Sequence, residues 1–337
     1  MTAPDEPSPA VVLDGLFAYL RTAALAAGIR LDVFTAIGEG AATPATLAAR
    51  TGAAERGLRA LCDTLVVHGL LLKRPDGAYA LTPSAAAFLD RRSPACMGST
   101  VGFLASPELL EMVLRDPAAY VRNGGAPGLA AIAPEHPMWV KFARAMAPFA
   151  APLASGVVDW AVAQGVAPRR VLDVSASHGL FGLAFARRFP DCTVSALDWA
   201  PVLEVAKENV AAAGLSERFR WIAGSAFEVP LEGPYDVILL PNLLHHFDMA
   251  GCVTLLRRMR GALSPGGLVL APEFVPEEDR VSPPMPATFA FVMLATTPAG
   301  NAYTRAEFAE MLRQAGFGGA DFAPLAPAPQ TLMIGRA

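Results

Sequence analysis

The chain has 337 residues, of which 53 % are hydrophobic and 17 % are charged, and its formal net charge is −4. This length suits about two domains of roughly 150 residues each, and the composition favours a large buried core over disorder. The slight acidic excess argues against non-specific nucleic-acid binding, which normally needs a basic face. The four cysteines form no CxxC pair, which argues against a zinc ribbon or a dithiol redox site and suits free thiols in a reducing compartment.

The sequence shows no pattern typical of export or membrane insertion. Residues 1–7 are acidic and Pro-rich, without the basic and then apolar stretches of a signal peptide. The longest uncharged run, residues 281–304, contains four prolines and is too interrupted for a membrane helix. We therefore expect a soluble, cytoplasmic protein without a membrane partner.

Residues 1–95 predict a winged helix, that is, short helices followed by a small hairpin. Apolar residues recur at helical spacing from Leu13 to Leu20 and again from Leu58 to Val66. Between them, Thr43-Pro44 is typical of a helix start. Two apolar segments, 70–72 and 79–81, then flank a Pro-Asp-Gly turn and predict a hairpin.

A winged helix has two interpretations. As a DNA-binding module it would use the helix near residues 55–68, where Arg56 and Arg59 alternate with Glu55 and Asp63. That mixture of charges does not favour binding to the phosphate backbone of DNA. As a dimerisation module it would pack its apolar helices against a second copy. The many apolar helices in so small a region favour a homodimer formed through this region.

Residues 96–168 predict a linker that is rich in Pro and Gly and ends in a helix. Phe142 and Met146 are four residues apart and share one face of that helix. This face either packs in the core or covers a substrate of the following domain.

From residue 169 the pattern changes to strands that alternate with helices. Strands are predicted at 171–174, 193–198, 219–223, 235–240, 268–271 and 331–334, with a Ser-Pro-Gly-Gly turn at 264–267. Such alternation predicts an α/β fold, a mostly parallel sheet with helices on both faces. Ligands of such sheets bind at the carboxyl ends of the strands.

Small and acidic residues lie at the ends of the first two of these strands. Asp173 is followed by a turn of small residues, namely Ser175, Ala176, Ser177 and Gly179. Small side chains let a ligand approach the backbone. Asp198 ends the second strand about 20 residues later, where a carboxylate can bind ribose hydroxyls. Trp199 beside it either stacks on an adenine ring or packs in the core.

The chain resembles the S-adenosylmethionine-dependent small-molecule O-methyltransferases over nearly its whole length. The resemblance is carried by residues 171–174 (VLDV), 242–248 (NLLHHFD), 263–267 (LSPGG) and 300–317 (GNAYTRAEFAEMLRQAGF). It implies a winged-helix dimerisation domain, a helical linker and a Rossmann-like class I methyltransferase domain at 169–337. It also implies S-adenosyl-L-methionine as the donor and S-adenosyl-L-homocysteine as the product.

The resemblance further implies that His245 is the general base and that Glu273 orients it. A phenol with a pKa of about 10 is mostly neutral at pH 7, and an imidazole with a pKa of about 6.5 can accept its proton as the methyl group moves. A carboxylate on the other ring nitrogen fixes the tautomer and stabilises the imidazolium.

The same resemblance assigns the binding residues. The implied donor-binding residues are Asp173, Ser175, Ala176, Ser177, Gly179, Asp198, Trp199, Gly224, Ser225, Ala226, Phe227, Pro241 and Asn242. The implied acceptor-binding residues are Phe142, Met146, Met293 and Thr297. The adjacent His246 is either a capping or surface histidine or a residue that polarises the acceptor or helps to bind a metal. No metal ion is expected, because the acidic spacing of metal-dependent catechol enzymes is absent.

The sequence departs from the family pattern at three places. Ser175-Ala176-Ser177 stands where the family has glycines, Ser225 where it has an aspartate, and Ala302 where a second acidic partner of the base is expected. Three functions therefore stay open. They are an O-methyltransferase for an aromatic or polyketide-like hydroxyl, the same fold with a carbon or nitrogen acceptor or a repurposed activity, and, more distantly, a DNA-binding regulator.

Overall fold

The computed structural model describes residues 7–337. The first six residues, on which the expectation about a signal peptide largely depends, lie outside the described residues. The chain divides into two compact units, Met1–Ser106 and Pro107–Ala337. The predicted domain boundaries near residues 95 and 168 stay predictions.

The N-terminal unit has the element order of a winged helix. Its helices are α1 (Ala10–Arg30), α2 (Val33–Gly38), α3 (Pro44–Thr51), α4 (Glu55–Val67), α5 (Pro83–Phe88) and α6 (Val101–Leu104). The strands β1 (Leu71–Lys73) and β2 (Tyr79–Leu81) lie between α4 and α5 and pair antiparallel. The predicted helices and hairpin are therefore confirmed.

Local sequence signals explain the start of α3 and the core of this unit. The Thr43 side chain accepts a hydrogen bond from the Thr46 N–H and Pro44 occupies the first turn, as the sequence predicts. Phe34 of α2 and Leu58 of α4 belong to the cluster of buried apolar residues that forms the core of this unit.

The first helix is mostly exposed. Of its 21 residues only Ala24, Ala26 and Gly28 are buried, whereas Leu16 and Phe17 are 65 % and 56 % exposed. Exposed apolar side chains in such a continuous run usually mark an interaction surface.

The C-terminal unit contains eight further helices and seven strands. The helices are α7 (Pro107–Leu114), α8 (Pro117–Asn123), α9 (Pro137–Ala163), α10 (Leu180–Arg188), α11 (Ala200–Ala212), α12 (Met249–Gly261), α13 (Pro284–Thr296) and α14 (Arg305–Gln314). The strands are β3 (Arg170–Val174), β4 (Thr193–Asp198), β5 (Phe219–Ala223), β6 (Tyr235–Leu239), β7 (Leu263–Glu273), β8 (Ala320–Pro324) and β9 (Thr331–Arg336).

The seven strands form one sheet in the order β5-β4-β3-β6-β7-β9-β8. The first five in this order are parallel, and β9 runs antiparallel to both of its neighbours. One buried cluster contains residues of α9 and α10, and a second contains residues of α12 and α14. The predicted α/β fold with helices on both faces is therefore confirmed.

One predicted boundary in this sheet is wrong. Strand β7 begins at Leu263, so the predicted turn at 264–267 forms the irregular first part of the strand. The register shifts there between Tyr235 and Val237 of β6, and Gly266 has a φ of 77°. Gly and Pro in a sequence predict a turn, but a bulge within a strand uses the same residues.

Two helices of the described residues, α1 and α9, are long and apolar enough to cross a membrane by length and composition alone. Helix α9 packs on α10 and α11 in the C-terminal unit. Part of its apolar surface is therefore buried in the core of that unit.

The segment after α8 packs closely on the end of α13. A Cβ at Gly125 would overlap the main-chain oxygen of Pro298, and one at Gly128 would overlap that of Thr296. The N–H of Ala126 donates to the Thr297 oxygen at 3.0 Å. Helices α7 and α8 also contact α13, so residues 107–131 form a layer over it.

Candidate active site

The predicted donor-binding residues collect at the carboxyl edge of the sheet. Asp173 lies near the end of β3, Asp198 ends β4, Gly224 follows β5 and Asn242 follows β6. Because these strands are parallel neighbours, their carboxyl ends meet at one edge, the usual ligand site of such sheets. Glu273 ends β7, the next strand along.

The turn after β3 keeps the backbone shape of a glycine turn. Ser175 and Ser177 have φ values of 55° and 53°, in the left-handed region that favours glycine. The N–H of Ala176 donates to the Leu197 oxygen at 3.0 Å, and the N–H of Ser177 donates to Asp198 Oδ2 at 2.8 Å. These bonds join the turn to the end of β4.

Two glycines let α10 pack closely on its neighbours, Gly179 on α11 and Gly182 on the sheet. A Cβ at Gly179 would lie 2.9 Å from Ala206 Cβ, and one at Gly182 would lie 2.7 Å from Val194 Cγ1. The N–H of Gly182 donates to Asp173 Oδ2 at 2.8 Å. The first turn of α10 thus packs directly on the carboxylate of β3.

The two carboxylates of this edge are buried. Asp198 accepts hydrogen bonds from the N–H groups of Ser177 and Trp199 at 2.8 and 2.7 Å, yet burial raises its pKa to about 6. Burial raises the pKa of Asp173 to about 7; the N–H of Gly182 opposes this rise and the charge of Asp198 adds to it.

These residues fit an adenosyl ligand. Each oxygen of Asp198 can accept a second hydrogen bond, which is the capacity that two ribose hydroxyls require. Asp173 Oδ1 and Ser177 Oγ are buried with no hydrogen-bond partner among residues 7–337. Buried polar atoms are normally paired, so their lack of a partner is consistent with a site completed by a ligand.

The loop after β5 continues this edge. Gly224 has a φ of 136°, and the Ser225 hydroxyl accepts from the N–H of Phe227 at 3.2 Å. Ala226 is half-buried, and the Phe227 ring meets the Phe247 ring edge-on at 5.0 Å. Ser225 therefore stabilises the loop with its hydroxyl.

Trp199 and His178 flank the turn. Trp199 is half-buried and packs against Ala143 of α9 and Val202 of α11, so core packing accounts for part of its surface. His178 accepts at Nδ1 from the Leu180 N–H at 3.2 Å, and burial lowers its pKa to about 4. Its imidazole is therefore neutral at pH 7.

Pro241 and Asn242 lie after β6. Asn242 has a φ of 50°, and its N–H donates to the Pro272 oxygen of β7 at 3.0 Å. Its side-chain Oδ1 lies 3.4 Å from Nε2 of Gln330, the residue before β9.

His245 and Glu273 form a buried pair. His245 Nδ1 lies 2.6 Å from Glu273 Oε2, and the two side chains are 5 % and 0 % exposed. Glu273 Oε1 accepts from the Leu244 N–H at 2.8 Å. Because both carboxylate oxygens are engaged, the carboxylate is fixed, and a proton on Nδ1 leaves Nε2 as the acceptor nitrogen.

Aromatic rings surround the other side of His245. The Phe289 ring meets it edge-on with centroids 4.8 Å apart, and Phe274 stacks on Phe289 at 4.1 Å. The ring of His246 lies 4.4 Å from that of His245. Burial, together with the charge of a protonated His245, holds the pKa of His246 well below its ordinary value, so His246 is neutral at pH 7.

The segment after α13 also holds the His245 turn. Asn301 donates its N–H to the main-chain oxygen of His245 at 3.0 Å, and Tyr303 donates its hydroxyl to the Phe247 oxygen at 2.7 Å. Ala302 is buried there, so this position supplies no second carboxylate.

The predicted acceptor residues lie on two helices and the His245 turn. Phe142 and Met146 are half-buried one turn apart on α9, whereas Met293 and Thr297 are buried at the end of α13. The Thr297 hydroxyl donates to the Met293 oxygen at 2.7 Å and accepts from the Gly300 N–H at 2.8 Å. Thr297 is thereby joined to the segment that holds His245.

Three residues of this site were not predicted from the sequence. Phe274 follows Glu273 directly, and Phe289 precedes Met293 by one helical turn. Their positions next to predicted site residues could therefore have indicated them. Gln330 reaches Asn242 across 88 positions, and no sequence signal indicates it. Within residues 7–337, no three His, Cys, Asp or Glu side chains are grouped as metal ligands.

Two family models match the chain. The family model described as an O-methyltransferase domain matches residues 108–318, and that of an O-methyltransferase dimerisation domain matches residues 13–91. The chain is similar to the tetracenomycin polyketide synthesis 8-O-methyl transferase TcmO of Streptomyces glaucescens, with 27 % identity over 97 % of this chain and 96 % of the relative.

Two solved structures are similar over almost the whole chain. A candidate O-methyltransferase from Nostoc punctiforme is 44 % identical with a TM-score of 0.94, covering 98 % of this chain and 100 % of the other. PigF, solved with S-adenosylhomocysteine, is 25 % identical with a TM-score of 0.83 and the same coverage. The chain belongs to the S-adenosylmethionine-dependent O-methyltransferase family.

Proposed function

We propose that the protein methylates a hydroxyl of an aromatic or polyketide-like small molecule, with His245 as the general base. The observation that carries this proposal is the buried pair of His245 Nδ1 and Glu273 Oε2, 2.6 Å apart, beside the rings of Phe289 and Phe274. The name of the relative TcmO, an 8-O-methyl transferase of polyketide synthesis, supports this class of acceptor.

His245 acts on the proton of the acceptor hydroxyl. Glu273 holds the Nδ1 proton, so Nε2 carries the free lone pair. With the donor bound, the hydroxyl proton would pass to Nε2 as the oxygen bonds to the methyl carbon. The carbon–sulfur bond of the donor would break in the same step, with S-adenosylhomocysteine as the leaving group. The buried carboxylate then stabilises the imidazolium, which general acid–base catalysis requires at this stage.

The carboxyl edge of the sheet holds the donor in this proposal. When bound, S-adenosylmethionine supplies a methyl group activated by a positively charged sulfur. Asp198 would hold the ribose hydroxyls, and the turn at residues 175–179 and residues 224–227 would hold the rest of the adenosyl group. Trp199, Pro241 and Asn242 complete this set. Their role is to align the methyl carbon with the acceptor oxygen, an arrangement that lowers the barrier by removing orientational freedom.

The acceptor pocket is proposed to be mainly apolar. Met293 and Met146 provide polarisable side chains that suit the face or edge of an aromatic ring, and Phe142 adds a ring. The Thr297 hydroxyl is occupied by Met293 and Gly300, so Thr297 offers mainly its methyl group. His246 is neutral, and its ring makes no hydrogen bond to the residues that the structure describes, so it can bind a polar group of the acceptor.

We also propose that two copies form a homodimer through the N-terminal unit. The dimerisation-domain match at residues 13–91 supports dimer formation, and the exposed apolar side chains of α1 supply a surface that a second copy can bury. This use of α1 needs no membrane. A soluble protein in the cytoplasm also suits the four free cysteines, because that compartment keeps thiols reduced.

The test uses the whole protein with S-adenosylmethionine and a panel of naphthols and other phenols. His245→Ala should lower kcat by about 10²- to 10⁴-fold, while the affinity for S-adenosylhomocysteine stays within about twofold by calorimetry. His68→Ala, at the end of α4, is the matched control and should leave both unchanged. Mass spectrometry and NMR identify the methylated atom.

Each part of the proposal can be contradicted separately. Unchanged turnover in His245→Ala would exclude its role as base. A methyl group found on carbon or nitrogen would exclude the hydroxyl acceptor. Donor binding without any methylated product across the panel would favour a repurposed activity.

A further inference from the structure

Gln330 lies at the carboxyl edge of the sheet, although it belongs to no motif of the family resemblance. The next residue, Thr331, pairs with Glu273. Because β9 runs antiparallel to β7, its first residues lie beside the last residues of β7. The Gln330 amide contacts Asn242 after β6, and the N–H of Asn242 donates to Pro272 of β7. Gln330 thus joins the ends of three strands.

The other end of the Gln330 amide has no partner. The residue is 2 % exposed, and its Oε1 is buried without a hydrogen bond to any of residues 7–337. An unpaired buried oxygen costs free energy, whereas an apolar side chain of similar size would avoid that cost. The Oε1 atom therefore needs a hydrogen-bond donor that residues 7–337 do not supply.

Gln330 faces the same side of the sheet as Asp173. Side chains along a strand point alternately to its two faces, so Gln330 faces the same side as Leu332 and Ile334. Both of these residues pack in the cluster that contains α9 and α10 residues. Asp173 faces that side because its Oδ2 accepts from Gly182 of α10. Its Oδ1 is the second unpartnered oxygen on this face.

The order of the strands indicates which part of a ligand meets Gln330. Asp198, the turn after β3 and Asn242 follow one another along the edge on β4, β3 and β6, and neighbouring strands are about 4.8 Å apart. A donor with its ribose at Asp198 and its adenine toward β5 extends its amino-acid end across β3 toward β6. That end carries an ammonium group, which has three hydrogen atoms to donate and needs oxygen acceptors.

We propose that Gln330 Oε1 accepts a hydrogen bond from the α-ammonium group of the bound methyl donor. Gln330 then determines specificity for the amino-acid end of the donor, and the Asn242 contact holds its amide in place. This inference rests on the donor site of the proposed function.

The test compares two ligands that differ only at that end. S-adenosylhomocysteine carries the amino acid, whereas 5′-methylthioadenosine has the same adenosine and a thioether but no ammonium group. Gln330→Leu in the full chain should weaken binding of S-adenosylhomocysteine by about tenfold or more, the range of a hydrogen bond to a charged group. Binding of methylthioadenosine should stay within about twofold in the same calorimetric titrations. Gln314→Leu, on the exposed end of α14, is the matched control and should affect neither.

A melting curve separates this role from a structural one. Leucine removes the unpaired oxygen, so unliganded Gln330→Leu should melt at or above the wild-type temperature while its stabilisation by S-adenosylhomocysteine shrinks. A lower melting temperature, with equal losses of affinity for both ligands, would show that Gln330 only holds Asn242 in place. Unchanged affinity for S-adenosylhomocysteine would also overturn the inference. A wild-type protein that binds neither ligand would overturn the donor site itself.

Discussion

Gly300 packs directly against the main-chain oxygen of His245, so closely that a Cβ at position 300 would overlap that oxygen. The N–H of the next residue, Asn301, donates to the same oxygen at 3.0 Å. The turn that carries the proposed base is therefore fixed by its main chain as well as by Glu273.

Gly300→Ala should displace this turn and lower kcat by about 10²-fold, the usual result of a misplacement of about 1 Å at a reacting group. The affinity for S-adenosylhomocysteine should change little, because most of the proposed donor residues lie on the loops after β3, β4 and β5. Gly319→Ala is the control, since a Cβ there meets nothing within 4 Å. A kcat for Gly300→Ala within about twofold of wild type would show that the turn does not need this packing.

Asp173→Asn should stabilise the unliganded protein at high pH. Burial raises the pKa of Asp173 to about 7, above the value of about 3.9 in an unfolded chain. The folded state therefore binds the proton more tightly, and the wild-type protein loses stability as pH rises from about 4 to about 7. The neutral amide removes this loss, so the gain should be largest at pH 8 and should vanish near pH 4.

Denaturant unfolding of both proteins at pH 4.5 and pH 8 measures this change in the free energy of unfolding. A tenfold difference in proton affinity between the folded and unfolded states corresponds to about 1.4 kcal/mol. Taking the difference between the two proteins cancels the contribution of His178, whose lowered pKa acts in the opposite direction. A gain that is equal at both pH values would contradict the raised pKa of Asp173.

Ser177→Gly should stabilise the unliganded protein, although Gly usually destabilises. A left-handed backbone costs a non-glycine residue roughly 1–2 kcal/mol, and glycine also removes an unpaired buried hydroxyl oxygen. The greater freedom of glycine in the unfolded chain offsets part of this, which leaves a net gain of about 1 kcal/mol.

A serine-to-glycine substitution at Ser155 should have the opposite effect on stability. Ser155 is exposed in α9, where glycine lowers helix stability by about 0.5–1 kcal/mol. Thermal melts of the two variants give the comparison. Destabilisation by Ser177→Gly would mean that the Ser177 hydroxyl contributes more to the turn than its backbone strain costs.

Leu16→Glu should dissociate the proposed dimer. Leu16 is 65 % exposed on α1, and burying a carboxylate at an interface replaces favourable apolar burial with a desolvation cost. Loss of a central interface side chain costs about 2–4 kcal/mol, which raises the dimer Kd by roughly 30-fold or more.

Light scattering across a concentration series measures this change. Leu114→Glu on α7, where the leucine is 57 % exposed, is the matched control and should remain dimeric. A wild-type monomer at micromolar concentration would refute the dimer, and a dimeric Leu16→Glu would place the interface elsewhere.

The parts of the site that are local in sequence could be predicted. Asp198 ends a buried strand and Asp173 lies one residue before the end of another, and the topology of a parallel sheet brings such ends together. His245 and Glu273 came from the family resemblance, and the structure places them 2.6 Å apart. The roles of these residues stay predictions until the variants are measured.

The remaining features depend on contacts that a linear pattern does not contain. Gln330 meets Asn242 only because β9 returns antiparallel beside β7. The φ angles of Ser175 and Ser177 follow from the packing of the turn, since serine itself disfavours them. Phe289 is one of several apolar residues on α13, and only the folded chain shows which of them meets His245.

The layer formed by residues 107–131 packs on α13, and neither contributes a strand to the sheet. The proposed donor site is built from strand ends, whereas Met293 and Phe289 are carried by this outer helix. A change of side chain on α13 can therefore reshape the proposed acceptor wall without moving Asp173 or Asp198. Within such a fold, acceptor range and donor use can diverge independently during evolution.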